Sequence, residues 1–392
     1  MDKGIPLSVP NFIGKESEYV MKALKEEWVS TSGSYINEFE IKVANYLNVQ
    51  SAVACQSGTA AIHLALRLTG ITVGDEVIVP TLTFIAAVNP VKYQGGYPIF
   101  MDCDNSLNMD IEKLDEFCKR ECLLSKDGLI NKKTKRAIKA IVVVHIFGNM
   151  ANMEGIMEIA QKYRLKVIED ATEAFGTFYI KGKYKGKFAG TIGDFGAYSF
   201  NGNKIITTGG GGMLVAKDIS LLKKASYLST QAKNDPLYYI HDEIGYNYRM
   251  TNLQAALGIA QLEQIENFIK IKRENYDTYK NEIKKIEGLS LLDFNKNIRS
   301  NYWFYSLMID KEKYGLNRDE ILKKLYKEKI QTRPIWGLIH EQKPYYENQS
   351  YKIERAKYYI QRVLNIPCST DLMKKDIMTI VDILNQNHKR GM

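Results

Sequence analysis

The fold is decided by the stretch from residue 139 to residue 170, which has the sequence KAIVVVHIFGNMANMEGIMEIAQKYRLKVIED. Two short runs rich in valine and isoleucine, residues 139–144 and 166–170, have the composition of buried strands. Between them, the apolar residues of segment 153–164 recur at the spacing of one helix face. Parallel strands are joined by crossovers of this kind, so we predict an α/β fold with a mostly parallel sheet flanked by helices.

The same alternation continues on both sides of this stretch. Further strands are predicted at residues 51–55, 76–80, 97–101, 195–200 and 212–216. Helices are predicted at residues 15–28, 34–47, 58–68 and 83–94. Residues 119–137 interrupt the alternation, and we interpret them as an insertion. These elements together predict a large α/β domain over residues 1–252.

A different pattern begins near residue 250. The elements predicted there are a long charged helix at residues 253–287, a strand at 300–310, and helices at 317–328 and 374–387. A chain of 392 residues also exceeds the usual size of one hydrophobic core. We therefore predict that residues 253–392 form a linking helix and a smaller α+β domain.

The composition is that of a soluble globular protein, with 45% hydrophobic and 25% charged residues. The net charge is +9, but apart from segment 132–136 the lysines are dispersed over the predicted helices. We therefore expect no nucleic-acid partner, and a positive field that suits an anionic small substrate. The five cysteines show no metal-site pattern, so no metal is expected. No apolar run could span a bilayer and the start lacks a signal-peptide pattern, which predicts a cytoplasmic protein without membrane contact.

Polar and small residues follow three of the predicted strands at their carboxyl ends, where parallel α/β sheets bind ligands. The turn Gln56-Ser-Gly-Thr59 opens a helix and offers free N–H groups to an anion. Asp170 ends one strand, and Ser199 and Lys204 come at the end of the next, before the glycine run 209–212. Taken singly, these features are typical of helix caps, turns and solvated surface.

Their combination fits pyridoxal phosphate, which has an aldehyde, a phosphate tail and a ring nitrogen. The aldehyde needs a lysine for a Schiff base, the phosphate needs N–H donors, and the protonated ring nitrogen needs an anion. Along the chain, the turn at residues 56–59 supplies the N–H donors, Asp170 the anion and Lys204 the amine, which comes 34 positions after Asp170 (204 − 170 = 34). We therefore predict that Lys204 carries the cofactor.

The sequence resembles the sugar-nucleotide aminotransferases of the DegT/StrS type, which are fold-type I pyridoxal phosphate enzymes, over nearly its whole length. The matching segments, in the family's order, are Ser57-Gly-Thr-Ala-Ala61, Thr81-Leu-Thr-Phe-Ile-Ala86, Asp102-Cys-Asp104, His145-Ile-Phe-Gly148, Glu169-Asp-Ala-Thr-Glu-Ala-Phe-Gly176, Ser199 to Gly212, Gly245-Tyr-Asn-Tyr-Arg-Met250 and Thr332-Arg-Pro-Ile-Trp336. Each segment alone is a weak match, but eight matching segments in the family's order are highly specific for the family.

The resemblance implies a role for each matching residue. Lys204 matches the lysine that binds the cofactor and moves the proton between cofactor and sugar. Asp170 matches the partner of the ring nitrogen, and Phe84 matches the aromatic residue stacked on the ring. The positions that match phosphate ligands are Gly58, Thr59 and Ser199.

Other matches concern a second subunit and the substrate. Asn247 matches a phosphate ligand from the neighbouring subunit, which implies a homodimer with active sites shared across the interface. Arg249 and Arg333 match positions near the substrate, where surface salt bridges are the competing interpretation. Glu173 stands where many relatives have glutamine or histidine near the cofactor, and its contact with the ring hydroxyl or the substrate would require the placement of its proton to be tuned. For His145, packing at a strand end is the favoured interpretation.

The resemblance implies transfer of an amino group from L-glutamate to a nucleotide-linked keto sugar. Segment 201–213 and the insertion at 119–137 resemble enzymes that aminate C4 of UDP-linked 4-keto-6-deoxy-N-acetylhexosamines, on routes to bacillosamine and legionaminic acid. The alternatives are a C3 aminotransferase for a dTDP- or GDP-linked keto sugar, an aminotransferase for free amino acids, and a non-catalytic regulator of the same fold. Dehydratases of this fold have histidine in place of Lys204, which argues against that activity.

Overall fold

The structure is a computed structural model that describes residues 4–235 and 237–389. Its helices are α1 Glu16–Lys25, α2 Ser34–Leu47, α3 Gly58–Leu68, α4 Asn89–Tyr93, α5 Ile111–Arg120, α6 Met153–Tyr163, α7 Ile219–Ser229, α8 Asn252–Glu263, α9 Ile265–Ile283, α10 Lys311–Tyr314, α11 Arg318–Lys327, α12 Arg355–Ile360 and α13 Lys374–Lys389. Short 3-10 helices lie at Ile85–Ala87, Ile146–Gly148, Ile339–Glu341 and Lys343–Tyr345. None of the helices in this part of the chain has the length and apolar character to cross a membrane.

Eighteen strands alternate with these helices in the described part of the chain. They are β1 Val53–Cys55, β2 Glu76–Pro80, β3 Tyr97–Met101, β4 Cys122–Ser125, β5 Gly128–Asn131, β6 Ala137–Val144, β7 Lys166–Asp170, β8 Phe178–Tyr179, β9 Phe195–Ser199, β10 Gly212–Ala216, β11 Lys233–Asp235, β12 Ile240–His241, β13 Leu289–Leu291, β14 Ile298–Arg299, β15 Tyr305–Ile309, β16 Arg333–Pro334, β17 Ser350–Tyr351 and β18 Val363–Ile366.

The main sheet has the strand order β1-β10-β9-β7-β6-β2-β3-β17. From β9 to β17 every neighbouring pair is parallel, while β10 runs antiparallel to both β1 and β9. This arrangement confirms the predicted α/β fold with a mostly parallel sheet. It also brings the carboxyl ends of β7 and β9 side by side, where ligands of such sheets bind.

Side chains alternate between the two faces of the sheet along each strand, and helices cover both faces, so both faces are buried. On β2, Ile78 packs into a cluster with Phe39 of α2 and Ile156 of α6. Its neighbours Val77 and Val79 pack into a second cluster with α3 and α7. The two layers of helices explain why these strands are continuous apolar runs in the sequence.

A second, antiparallel sheet with the order β13-β15-β18-β16 lies in the C-terminal part. A third apolar cluster fills the space between this sheet and α9, α11 and α13. Two segments cross between the parts: Ile5 pairs with Ile330, and β17 joins the main sheet at β3. The domain boundary after residue 252 stays a prediction, and α8, which follows it, packs against α1 and α2.

Two predicted helices are wrong in extent. The helix predicted at residues 83–94 is a 3-10 turn followed by α4, because Pro90 cannot donate a backbone hydrogen bond and fits only the first turn of a helix. The helix predicted at 253–287 is two helices that meet at Gln264, whose N–H donates to Gln261 rather than four residues back. The second helix, α9, packs along α13, whereas α8 packs against α1 and α2.

The predicted insertion has regular structure. Strands β4 and β5 form a hairpin within residues 119–137, and β5 pairs antiparallel with β6, which widens the main sheet. Lys126 and Asp127 form the two-residue turn, and Gly128 after it has a φ of 127°, which residues with side chains rarely adopt. The dipeptide Asp127-Gly128 is itself a hairpin signal that could have predicted this turn.

Candidate active site

A cavity of about 820 Å³ opens at the carboxyl ends of β7 and β9, between the main sheet and the C-terminal sheet. Eight of the ten predicted site residues line it: Gly58, Thr59, Phe84, Asp170, Glu173, Ser199, Lys204 and Arg333. The strand order therefore brings together groups that are up to 275 residues apart in the chain (333 − 58 = 275).

The turn before α3 forms one wall of the cavity. Ser57 caps the helix, and its hydroxyl accepts the Ala60 N–H at 3.1 Å. The N–H groups of Gly58 and Thr59 begin the helix, so they have no carbonyl partner within it. A Cβ at position 58 would lie 2.8 Å from Thr172 Cγ2 and 2.9 Å from Ser199 Cβ. Glycine is therefore required there, and the free N–H groups suit a phosphate.

The glycine run at residues 209–212 packs directly against this turn. A Cβ at Gly212 would lie 2.4 Å from the Ser57 carbonyl carbon and 2.6 Å from the Gly58 nitrogen. Gly211 has a φ of 134°, which side chains disfavour. The run thus lets the start of β10 pass directly against the turn, which explains why glycines follow Lys204.

Asp170 lies at the end of β7 and is only 4% exposed. Its Oδ1 accepts the backbone N–H of Thr172 at 3.0 Å. Burial raises the pKa of this carboxyl, while the hydrogen bonds from Thr172 and the nearby Lys204 cation oppose the shift. A buried carboxylate facing the cavity suits a cationic ring nitrogen, whose charge would replace lost hydration.

Lys204 follows β9 in a loop, where its N–H donates to the Asn201 carbonyl at 3.0 Å. Its Nζ lies 4.1 Å from the centroid of the Trp303 ring. Burial lowers the pKa of this amine, while the carboxylates of Glu173 and Asp170 raise it. An amine of lowered pKa is a better nucleophile and proton acceptor near neutral pH than an ordinary surface lysine.

Glu173 is the second buried carboxyl of the cavity and is 4% exposed. Its Oε2 accepts the Phe147 N–H at 2.8 Å. Burial raises the pKa of this carboxyl, and the Lys204 cation counteracts the rise. Glu173, Asp170 and Lys204 therefore form one interacting set of ionisable side chains inside the cavity.

His145 lies outside the cavity and is fully buried. Its Nδ1 accepts the Ala151 N–H at 3.2 Å, so its Nε2 carries the proton and donates to Glu169 at 2.9 Å. Glu169 also accepts the N–H groups of Gly190 and Ile192. These contacts agree with the interpretation of His145 as a packed residue at a strand end.

The remaining predicted residues divide into two groups. Phe84 is 55% exposed at the cavity wall, and Arg333 is exposed at the start of β16 on the opposite side. Asn247 and Arg249 do not line this chain's cavity; Asn247 is exposed, and its Oδ1 accepts a hydrogen bond from Arg249 Nε at 3.4 Å. Within one chain, the structure therefore does not bring Asn247 and Arg249 to the site.

Seven further residues line the cavity from the C-terminal part and were not predicted as site residues: Trp303, Phe304, Gln331, Pro334, Ile335, Trp336 and Asn365. Residues 300–304 were predicted as strand, but β15 begins only at Tyr305, and the preceding irregular segment carries Trp303 into the site. Trp336 does belong to a segment that carries the family resemblance. For Gln331 and Asn365 the sequence has no comparable signal.

The donor set fits pyridoxal phosphate. Three groups face one cavity: the helix N-terminus at Gly58, where only glycine fits, the buried carboxylate of Asp170, and Lys204, whose pKa is lowered. These are the partners that the phosphate, the ring nitrogen and the aldehyde of the cofactor require.

Known proteins are similar over the whole chain. Residues 11–385 match the model of the DegT/DnrJ/EryC1/StrS aminotransferase family. The chain is 40% identical over 385 residues to GDP-perosamine synthase of Escherichia coli O157:H7, covering 98% of both chains. It is 30% identical over 390 residues to UDP-4-amino-4,6-dideoxy-N-acetyl-beta-L-altrosamine transaminase of Campylobacter jejuni subsp. jejuni, covering 97% of this chain and 96% of that one. The crystal structure of DesI with its TDP-sugar product has a TM-score of 0.87 at 26% identity, covering 100% of this chain and 94% of that chain.

Proposed function

Because the chain belongs to the DegT/DnrJ/EryC1/StrS aminotransferase family, whose members use pyridoxal phosphate, we propose that it transfers an amino group from L-glutamate to a GDP-linked keto sugar. One observation carries the choice of nucleotide: the 40% identity with a GDP-perosamine synthase over 98% of both chains. The transaminase named for a UDP-linked sugar is 30% identical. This difference favours the GDP alternative over the UDP acceptor predicted from the sequence, and the bacillosamine and legionaminic acid routes stay predictions.

When bound, the cofactor carries the amino group and serves as an electron sink. The chain's residues then divide the remaining work. Lys204 binds the cofactor and carries the proton to and from the reacting carbon, a task for which its lowered pKa suits it. Asp170 holds the proton on the ring nitrogen. Phe84 would pack against the cofactor ring, and Arg333, an exposed cation that lines the same cavity, would bind an anionic substrate.

The phosphate end of the cofactor is assigned to the turn before α3. The N–H groups of Gly58 and Thr59 and the hydroxyl of Ser199 are the proposed donors. Glu173 is assigned to the cofactor ring or the substrate, since its buried carboxyl faces the same space as Lys204.

We expect the purified protein to turn over a GDP-linked 4-keto-6-deoxy sugar with a kcat/KM at least about 100-fold above that for a UDP-linked 4-keto-6-deoxy-N-acetylhexosamine. Both reactions would be run with L-glutamate and followed by mass spectrometry of the sugar nucleotide and by release of 2-oxoglutarate. Equal or better turnover of the UDP sugar would overturn the choice of nucleotide. Absence of amino transfer with either sugar would overturn the proposed function. NMR of the product decides between amination at C4, as predicted, and at C3.

We further propose that the active protein is a homodimer in which Asn247 reaches the partner's site. Asn247 is exposed beside an apolar surface segment, where Leu237, Tyr238 and Tyr239 are 74%, 74% and 70% exposed and Ile244 is 83% exposed. Clustered exposed apolar side chains of this kind mark protein interfaces. The position of Asn247 outside its own chain's cavity fits a role in the other site.

Mixed dimers test this arrangement. A dimer of one Asn247→Ala subunit and one Lys204→Ala subunit is expected to have one normal site, because the intact lysine receives Asn247 from the other subunit. It should bind the cofactor at that site with the affinity of the wild type, whereas Asn247→Ala homodimers bind it more weakly. The control is a dimer of wild type with Lys204→Ala. If the cofactor affinity of the mixed dimer matched the Asn247→Ala homodimer, Asn247 would act within its own chain.

A further inference from the structure

We propose that Trp303 is a positioning residue that holds the free side chain of Lys204 in the active site. The inference rests on the proposed function, in which Lys204 is released from the cofactor and carries protons. Lys204 Nζ lies 4.1 Å from the centroid of the Trp303 ring, and both residues line the cavity. Trp303 is 3% exposed, and Lys204 is half-buried.

The contact has the geometry of a cation–π interaction. A lysine ammonium is attracted to an aromatic face within about 6 Å of its centroid, and tryptophan is the strongest partner. The attraction is stronger for partly desolvated groups than for groups on the open surface. The charged groups that act on the amine are the carboxylates of Glu173 and Asp170. The indole therefore adds a neutral contact to a lysine that two carboxylates already attract.

Trp303 is itself fixed by hydrogen bonds at its indole and at its backbone. Its indole Nε1–H donates to the carbonyl of Asn203, the residue before Lys204, at 2.7 Å. Its backbone N–H donates to Asn301 Oδ1 at 3.0 Å. Its backbone carbonyl accepts from Lys272 Nζ, also at 3.0 Å, and Lys272 is a 3% exposed side chain of α9. Phe304 stacks on the indole with ring centroids 4.1 Å apart.

The same segment holds the loop that carries Glu173. Asn301 Nδ2 donates to the carbonyls of Glu173 and Phe175 at 2.9 and 3.0 Å. Asn301 thus contacts the Glu173 loop, and Trp303 contacts the Lys204 loop. These bonds fix the distance between the lysine and its carboxylate neighbour, which a long flexible side chain would not maintain alone.

The expected consequence is a lysine that returns to one place after each proton transfer. The experiment compares Trp303→Leu, which removes the aromatic face, with Trp303→Phe, which keeps a smaller one. Trp28→Leu is the matched control, because Trp28 is 57% exposed and lies outside the cavity. Circular dichroism and thermal unfolding would verify that each variant folds.

The first readout is independent of turnover. The full chain is loaded with pyridoxamine phosphate, which leaves the Lys204 amine free, and acetic anhydride labelling of Lys204 is followed over pH by peptide mass spectrometry. A cation–π contact favours the charged amine, so its loss lowers the pKa of Lys204. Trp303→Leu is therefore expected to move the half-labelling point to lower pH, with Trp303→Phe in between and Trp28→Leu unchanged.

The second readout is the division between kcat and KM. Trp303→Leu is expected to lower kcat about three- to thirtyfold at unchanged KM for glutamate, with partial rescue in Trp303→Phe. Unchanged Lys204 labelling in folded Trp303→Leu would overturn the proposal, whatever the activity. A wild type that transfers no amino group, with labelling that still depends on Trp303, would instead overturn the proposed function and leave the contact standing.

Discussion

Lys204→Ala is expected to abolish amino transfer, with kcat lowered by at least about 10⁴-fold while the fold stays intact. The substitution removes the amine that we propose both binds the cofactor and carries the proton. The half-buried side chain lies at the cavity wall rather than in an apolar cluster, so its loss leaves the packing of the sheet unchanged. Turnover of the GDP-linked sugar, cofactor absorbance and thermal unfolding measure the three expectations.

Two further variants sharpen the test. Lys185→Ala removes an exposed lysine outside the cavity and should keep full activity. Lys204→Arg keeps a cation that can face Trp303, but its guanidinium does not deprotonate in proteins, so it should be as inactive as the alanine variant. Turnover by folded Lys204→Ala near the wild-type rate would assign the chemistry to another lysine.

The elements that form the floor of the site could be predicted from the sequence, because their signals are local. Helix α3 has the predicted bounds, since the Ser57 cap and the following apolar residues lie within one short segment. Strand β10 also has its predicted bounds, set by the glycine run before it and the polar residues after it. The site residues Asp170 and Lys204 follow from strand ends, where the ligand position of a parallel sheet is general.

The wall formed by the C-terminal part could not be predicted in the same way, because long-range contacts create it. Trp303 owes its place to Lys272 and to Asn203, which is 100 residues away in the chain. Leu7, at another edge of the cavity, is held by a hydrogen bond from its N–H to Gln331, 324 residues away. No periodicity or turn signal in the sequence indicates which distant residues form such hydrogen bonds.

The break between α8 and α9 has the same kind of cause. Residues 252–283 have helical periodicity throughout, and no proline or glycine marks Gln264. The chain bends there because α8 packs against α1 and α2 while α9 follows α13. Local propensity predicts that a helix forms, but the partners that divide it belong to the tertiary structure.

Asp170→Asn is expected to lower kcat by up to about 100-fold with little change in stability. A charge-assisted hydrogen bond is worth up to about 3 kcal/mol, and about 1.4 kcal/mol corresponds to tenfold in rate. Asparagine has nearly the same shape and its side-chain oxygen can still accept the Thr172 N–H that Asp170 accepts at 3.0 Å. What it lacks is the negative charge that we propose keeps the proton on the ring nitrogen of the cofactor.

The opposite end of the same strand provides a matched control. Asp194 accepts the Val167 N–H at 2.8 Å and pairs with Lys166 at 2.9 Å, both at the start of β7, whereas Asp170 ends that strand. Asp194→Asn changes the same atoms outside the cavity, so kcat should stay within about twofold while thermal stability falls slightly. If both variants lost activity equally, Asp170 would act through the strand rather than through its charge. If Asp170→Asn kept most of its kcat, another group would hold the proton on the ring nitrogen.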